Sequence, residues 1–164
     1  MPYDVITRRL PISALFELKG PRDRLAAWSP RLARLPTKAN SLLREDGDTF
    51  CHTGPDRWLV RAEIEREAML QAALRPEAAP PEISIVRVSD TLTFFRITGP
   101  DAAEVMAIGC PMDLHPTVFG EEAVSFTEFF GLRALVMRSD QGFDCAVEQS
   151  FGDMIEDYLA RALA

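Results

Sequence analysis

Leu15-Phe16-Glu17-Leu18-Lys19-Gly20-Pro21 and Phe94-Phe95-Arg96-Ile97-Thr98-Gly99-Pro100 share one pattern. Each is a short run alternating between apolar and polar side chains, the period of a half-buried strand. Each ends in Gly-Pro and leads into a polar helix start, where proline's missing N–H costs nothing. The residues after each copy also match: a connection, a pair of extended runs, then an amphipathic helix. The chain therefore reads as an internally duplicated α+β fold.

Working outward from the first copy, residues 14–19 predict a strand, and Leu25 and Trp28 fall on one face of a short helix ended by Pro30 and Pro36. Residues 41–44 and 49–52 flank Glu45-Asp46-Gly47-Asp48, and Asp-Gly between two extended runs signals a hairpin. Residues 57–62 alternate, with Trp58 and Val60 on one side, and residues 63–74 carry helical periodicity with acids in the first turn. Around the second copy, residues 83–88 and 92–98 alternate about Ser89-Asp90 and predict an antiparallel pair. A helix is expected over 102–108, then strands over 124–129, 132–138 and 143–148, and a final helix for which Ser150 is the N-cap candidate. Phe126 and Phe130 share strand parity, so one or both are expected in the core. Both halves thus read strand, helix, hairpin-like strands, helix, an order that two ferredoxin-like halves satisfy. The expected organisation is an N-terminal arm over 1–13 and a single duplicated domain over 14–164. Its half-repeats are 14–75 and 83–164, joined by the Pro-rich linker 76–81. Each half alone, at about 80 residues, would have a marginal core.

A net charge of −7 argues against a general nucleic-acid binder, which needs a basic surface to displace counterions. The charge is unevenly spread: residues 1–82 carry 13 basic and 12 acidic side chains, residues 83–164 carry 5 and 13. Arg8, Arg9, Lys19, Arg22, Arg24, Arg31, Arg34 and Lys38 have only Glu17 and Asp23 as local opposites. They read either as a solvated surface paired elsewhere or as a contact face for an acidic protein partner. Three cysteines without CxxC spacing imply neither a disulfide framework nor a zinc ribbon. The N-terminus lacks the pattern of a secretory signal, and no apolar run approaches the length of a membrane span, so the expected location is cytoplasmic.

Catalytic chemistry is thinly represented. There are two histidines, and Cys110 with His115 lacks the second ligand pair of a zinc site. Ser150 and Thr127 sit in no nucleophile elbow, and no glycines of a phosphate loop come after Gly99-Pro100. Glu121-Glu122 and Asp46/Asp48 read as solvated turns. Phe126, Phe129 and Phe130 stand among acids rather than bases, which suits a protein interface better than base stacking. The residues themselves point to a noncatalytic α+β protein acting as a subunit.

Gly109-Cys110-Pro111-Met112-Asp113-Leu114-His115-Pro116 comes after Ile97-Thr98-Gly99-Pro100-Asp101-Ala102-Ala103 and precedes Phe119 and Thr127. With Gly54-Pro55-Asp56-Arg57-Trp58-Leu59-Val60, and Val147-Glu148-Gln149-Ser150-Phe151 leading into Tyr158-Leu159, it resembles the gamma subunits of heterotetrameric sarcosine oxidases over most of residues 12–164. The resemblance implies a fold like the folate-binding domain of the glycine-cleavage T-protein, an aminomethyltransferase. It also implies partners: an alpha subunit with NAD and a folate-binding domain, a beta subunit with FAD and FMN, and a small delta subunit with zinc. Such complexes demethylate sarcosine oxidatively to glycine, passing the one-carbon unit to tetrahydrofolate and electrons to oxygen. The gamma chain itself is expected to hold no cofactor, no metal and no catalytic residue. The T-protein's catalytic aspartate stands on a glycine-rich hairpin, and the comparable stretch here is the short Glu45-Asp46-Gly47-Asp48-Thr49. Gln149 occupies a place where the family pattern has a basic residue. Arg22, Arg24, Arg31, Arg34, Cys110 and Asp113 are the candidate subunit-interface residues. The alternative is a stand-alone folate-binding or aminomethyltransferase-like protein, and an isolated chain could pair with a second copy of itself.

Overall fold

The computed structural model describes residues 3–164. The chain forms two compact units, residues 12–90 and residues up to 11 together with 91–164. The first strand, β1 (Ile6–Arg9), belongs to the second of these units. The arm expected over 1–13, whose first two residues lie outside the described residues, thus contains a strand. Charged Arg8 and Arg9 suit it to a sheet edge, where charge discourages unwanted pairing.

In the unit of residues 12–90, β2 (Ser13–Lys19), α1 (Arg22–Trp28), β3 (Leu42–Glu45), β4 (Asp48–Gly54), β5 (Arg57–Glu63), α2 (Glu67–Leu74) and β6 (Ser84–Arg87) come in that order. The sheet order is β3-β4-β5-β2-β6, antiparallel throughout. The helix expected over 63–74 opens with a 3-10 turn at Ile64–Arg66 before α2 begins. Leu25, Leu32, Leu35, Leu70 and Leu74 pack on the strand residues Ala14, Phe16, Leu18, Phe50, Trp58 and Val60. The Asp46-Gly47 turn takes positive φ at both residues, the type I′ geometry that a right-twisted hairpin requires.

The other unit adds β7 (Leu92–Thr98), α3 (Ala102–Gly109), β8 (Val124–Phe129), β9 (Leu132–Ser139), β10 (Gly142–Glu148) and α4 (Gly152–Leu163), in sheet order β1-β7-β10-β9-β8. Val105, Met106, Ile155 and Leu159 of its helices pack on Phe95, Ile97, Ala134, Val136, Phe143, Cys145 and Val147. Element by element it repeats the first unit: β7, α3, β8, β9, β10 and α4 correspond to β2, α1, β3, β4, β5 and α2. The repeat extends to single hydrogen bonds. Gly20 N–H donates to Asp56 O at 3.0 Å and Gly99 N–H to Gln141 O at 3.1 Å, each acceptor lying in a turn at positive φ.

Each sheet is a ferredoxin-like four-strand arrangement with one added strand, and its edge strand comes from a distant part of the sequence. The antiparallel pair expected between residues 83–88 and 92–98 does not form. β6 pairs with β2, and β7 takes β1 and β10 as neighbours. The Ser89 hydroxyl accepts the Leu15 N–H at 3.1 Å and donates to Glu67, so Ser89-Asp90 leads out of one unit instead of closing a hairpin. Ser150 caps nothing: its hydroxyl donates to Glu148 at 2.7 Å, and α4 begins after a 3-10 turn. Of the three phenylalanines near residue 130, Phe129 is the fully buried one. Phe126 lies under the Arg133 guanidinium, and Phe130, in the β8–β9 turn at positive φ, is partly buried and packs against the core, as expected for one of the pair.

Cys51, Cys110 and Cys145 are free and buried. Burial pushes the Cys51 thiol up to about 12 and raises Cys145 as well, so at neutral pH neither forms the reactive thiolate. A thiol reagent at about pH 7.5, a unit or so below an ordinary free thiol's pKa, is expected to label none of the three in the native chain and all three in denaturant. Labelling of Cys51 or Cys145 at the rate of a free thiol would contradict this burial.

Candidate subunit interface

The four candidate arginines lie on α1 and the 3-10 turn after it (Pro30–Arg34), and two of them, Arg31 and Arg34, reach the acids of the β3–β4 hairpin. Arg22 donates through Nε to Leu35 O at 2.9 Å and through Nη2 to Ala33 O at 2.9 Å, fastening α1 to the end of that turn. Arg31 pairs with the Asp48 carboxylate and also reaches Met69 Sδ at 3.5 Å. Arg34 pairs with Asp46 at 2.6 Å and Glu45 at 3.1 Å. The hydrogen bond from Arg34 holds the Asp46 carboxyl below the usual carboxylate range. Arg24 is exposed on the middle of α1. Three of the four candidates therefore hold their own unit together.

Asp48 is the centre of this arrangement. Its side chain is fully buried, and its Oδ1 accepts from Arg66 Nε at 3.0 Å while Oδ2 accepts from Arg31. Sequence pattern does not mark Arg66, because nothing local couples it to a carboxylate 18 positions away. With both oxygens engaged by guanidinium groups and its side chain fully buried, Asp48 is committed within its own unit. Asp46 and Glu45, the other acids of the hairpin, are on the surface with Arg34.

Cys110 and Asp113 belong to the other unit. Cys110 N–H donates to Met106 O at 2.8 Å, closing α3, and its side chain joins the core beneath. Asp113 Oδ1 accepts the His115 N–H at 2.9 Å, a local turn. The loop beyond is held from inside by Arg138, which donates to Leu114 O at 2.7 Å and to Phe119 O at 3.1 Å, with its guanidinium 4.4 Å from the Phe143 ring centre. Burial pulls the Arg138 pKa below its ordinary value. The Cys110–Asp113 segment is thus built as a fixed turn, with Cys110 facing inward.

The acidity of the chain has one location. The unit of residues 12–90 carries 12 basic and 12 acidic side chains, whereas the other carries 6 and 13, which is the whole net charge of −7. Arg96 takes the buried Asp144 in a two-pronged pair at 2.7 and 2.9 Å. Among the described residues no group of three or more His, Cys, Asp or Glu is placed to hold a metal ion, and no helix is long and apolar enough to cross a membrane.

No family profile matches the chain. It is 30% identical over 122 residues to sarcosine oxidase subunit gamma from Corynebacterium sp. strain U-96, a match covering 72% of this chain and 57% of that protein. The corresponding subunit from strain P-1 is 28% identical over 122 residues, covering 73% and 58%. The chain thus spans a little over half the length of these relatives. In structure it is similar to a chain of heterotetrameric sarcosine oxidase from Corynebacterium sp. U-96 in complex with pyrrole 2-carboxylate. That superposition has a TM-score of 0.81 and 26% identity, covering 97% of this chain and 83% of the other. It is also similar to the glycine-cleavage aminomethyltransferase T of Bartonella henselae, with a TM-score of 0.71 and 16% identity, covering 96% of this chain and 46% of that one. That second likeness identifies the folate-binding-domain-like fold to which the doubled Gly-Pro pattern and the two five-stranded sheets point. Sequence and fold agree, and both liken the chain to sarcosine oxidase gamma subunits.

Proposed function

We propose that this chain is a noncatalytic gamma-type subunit of a heterotetrameric, sarcosine-oxidase-like complex, acting through its surface and its shape. The observation that carries this reading is the likeness, over 97% of the chain, to a chain of a heterotetrameric sarcosine oxidase. The occupied state of Asp48 supports it, because the hairpin's one buried carboxylate is spent on Arg31 and Arg66. The complex would demethylate sarcosine oxidatively to glycine and hand the one-carbon unit to tetrahydrofolate. Partner alpha, beta and delta subunits would carry NAD, FAD, FMN, the folate-binding domain and zinc, in the cytoplasm. The interface residues Arg22, Arg24, Arg31, Arg34, Cys110 and Asp113 enter this proposal unequally. Arg24, Arg34 and Asp113 have the exposure to meet a partner directly, while Arg22, Arg31 and Cys110 would act by shaping the surface.

Co-expression with the adjacent genes, then capture of this chain, tests the proposal. Recovery of a flavin-containing complex is the expected result. Recovery of the chain alone, with the neighbours expressed, would overturn it. Titration of the isolated chain with tetrahydrofolate is expected to show no stoichiometric binding. Tight one-to-one binding would favour a stand-alone folate protein instead.

A further inference from the structure

Three observations meet on β1. It is an edge strand, paired with β7 along one side only. Ile6, at 72% exposure, is the most exposed of the large apolar side chains among the described residues. Arg8 is the one basic side chain of its unit that has no partner among the described residues, although that unit carries 13 acids. The other five are engaged: Arg9 with Asp153, Arg96 with Asp144, Arg161 with Asp157, Arg133 over Phe126 and Arg138 on backbone carbonyls.

The register fixes what β1 presents. Arg8 lies directly across from Arg96, and Ile6 across from Thr98. Leu10 N–H donates to Phe94 O at 2.7 Å. Because hydrogen-bonded pairs alternate along an antiparallel ladder, the amides of Arg8 and Ile6 also point at β7, and that of Thr7 points away. Ile6 and Arg8 share the face opposite the helices, since Arg9, on the other face, reaches Asp153 at the start of α4. Arg8 and Arg96 are thus cross-strand neighbours. The acids near the pair, Asp144 on β10 and Asp140 beyond it, act on Arg96, while Arg8 has none paired to it among the described residues. Like charges directly opposite are unfavourable, so a further anion beside Arg8 would stabilise the row.

We infer that the free edge of β1 takes an extended segment of a partner subunit as an added strand, with an acidic side chain meeting Arg8 and an apolar one covering Ile6. The inference rests on the subunit reading and names the surface and the chemistry of the contact. Backbone pairing through Thr7 supplies the attachment, and the alternation of apolar and acidic side chains supplies the selection. A second copy of this chain would bring another Arg8 to the same place, which argues for a different, acidic segment.

The test uses the full chain co-expressed with its neighbours, comparing Thr7→Pro, Arg8→Glu and Thr7→Val with the wild type. Thr7→Pro removes only the amide that faces away from β7, so the β1–β7 ladder keeps its bonds. It and Arg8→Glu are each expected to weaken assembly by about tenfold or more, with thermal unfolding of the isolated chain nearly unchanged. Thr7→Val keeps the donor and is expected to assemble like the wild type. Wild-type affinity in both Thr7→Pro and Arg8→Glu would overturn the docking edge while leaving the subunit reading intact. Failure of the wild type to assemble would overturn both. Equal losses in Thr7→Pro and Thr7→Val would show that the edge amide is not the attachment point.

Discussion

Asp48→Ala is expected to lower the stability of the chain by about 3–5 kcal/mol, read from the midpoint of denaturant unfolding monitored by circular dichroism. Asp48 begins β4, and its side chain is fully buried. Arg31 arrives from the 3-10 turn after α1 and Arg66 from the turn before α2, so one carboxylate joins three segments of the unit. Removing it leaves two guanidinium groups facing each other without a counter-charge, which costs far more than the pair's net worth. Both arginine side chains keep partial contact with water, 27% and 30% exposed, which screens them and places the loss nearer the lower bound. Asp48→Asn keeps the volume and removes the charge, and it is expected to be nearly as damaging. Asp46→Asn, which removes the charge facing Arg34 and still suits the positive φ of the turn, is expected to leave the midpoint close to wild type. If Asp48→Asn unfolds at the wild-type midpoint, the ion cluster is not what fastens the hairpin.

The contrast between Asp46 and Asp48 shows how far this site is legible in sequence. Both acids belong to the Asp-Gly hairpin, and its turn is readable because type I′ geometry demands those residues. In sequence both read as a solvated cluster, and Asp46 is solvated. Asp48 is the opposite case because Arg31, 17 positions before it, and Arg66, 18 after it, converge there only once two helices pack on the sheet. Composition can count charges and show that basic residues gather in the first half. It cannot say that Arg22, Arg31 and Arg34 are already committed within their own unit while Arg8 and Arg24 are not.

The strands themselves are legible for a related reason. Alternation marks a strand whichever sheet it joins, so the runs that form β2, β4, β5, β7, β8, β9 and β10 are visible. Their neighbours are not: the short spacing between residues 88 and 92 favours a hairpin, and it is the pairing of β6 with β2, continued by Val88 and Ser89 on Leu15, that reveals that the chain leaves one unit there. β1 is hidden by its own edge character. Val5-Ile6-Thr7 is β-branched, but Arg8-Arg9 and Pro11 next to it read as an arm, and charge and proline are also what exposed sheet edges use. The exchange of edge strands between distant parts of the chain is therefore the part of the fold that local pattern does not encode.

Gly99→Ala is expected to destabilise the chain by about 3 kcal/mol or more, and to do so by releasing β1. Gly99 has φ of +129° and Gly20, its counterpart in the repeat, +125°, a region that side-chain-bearing residues avoid. Space forbids a side chain as well. A Cβ on Gly99 would overlap the Asp4 carbonyl oxygen and lie 3.1 Å from Val5 Cα, while one on Gly20 would come within 2.7 Å of the Glu82 carbonyl oxygen. Each glycine therefore lies beneath the backbone entering an exchanged edge strand, β1 over Gly99 and β6 over Gly20. This is why the Gly-Pro ending occurs twice: the proline starts a helix, and the glycine leaves room for a strand arriving from elsewhere in the chain. Because the obstructing atoms are main chain, no rotamer change can relieve the overlap, and Gly99→Ala must either twist β7 or push β1 away. Hydrogen exchange distinguishes these outcomes. The Ile6 and Arg8 amides, which face β7, should lose protection in Gly99→Ala while the amides between β9 and β10 keep theirs. Gly20→Ala should act in the same way on β6 and leave β1 protected. If Gly99→Ala unfolds at the wild-type midpoint with β1 still protected, the close approach at Gly99 is not what the doubled glycine provides.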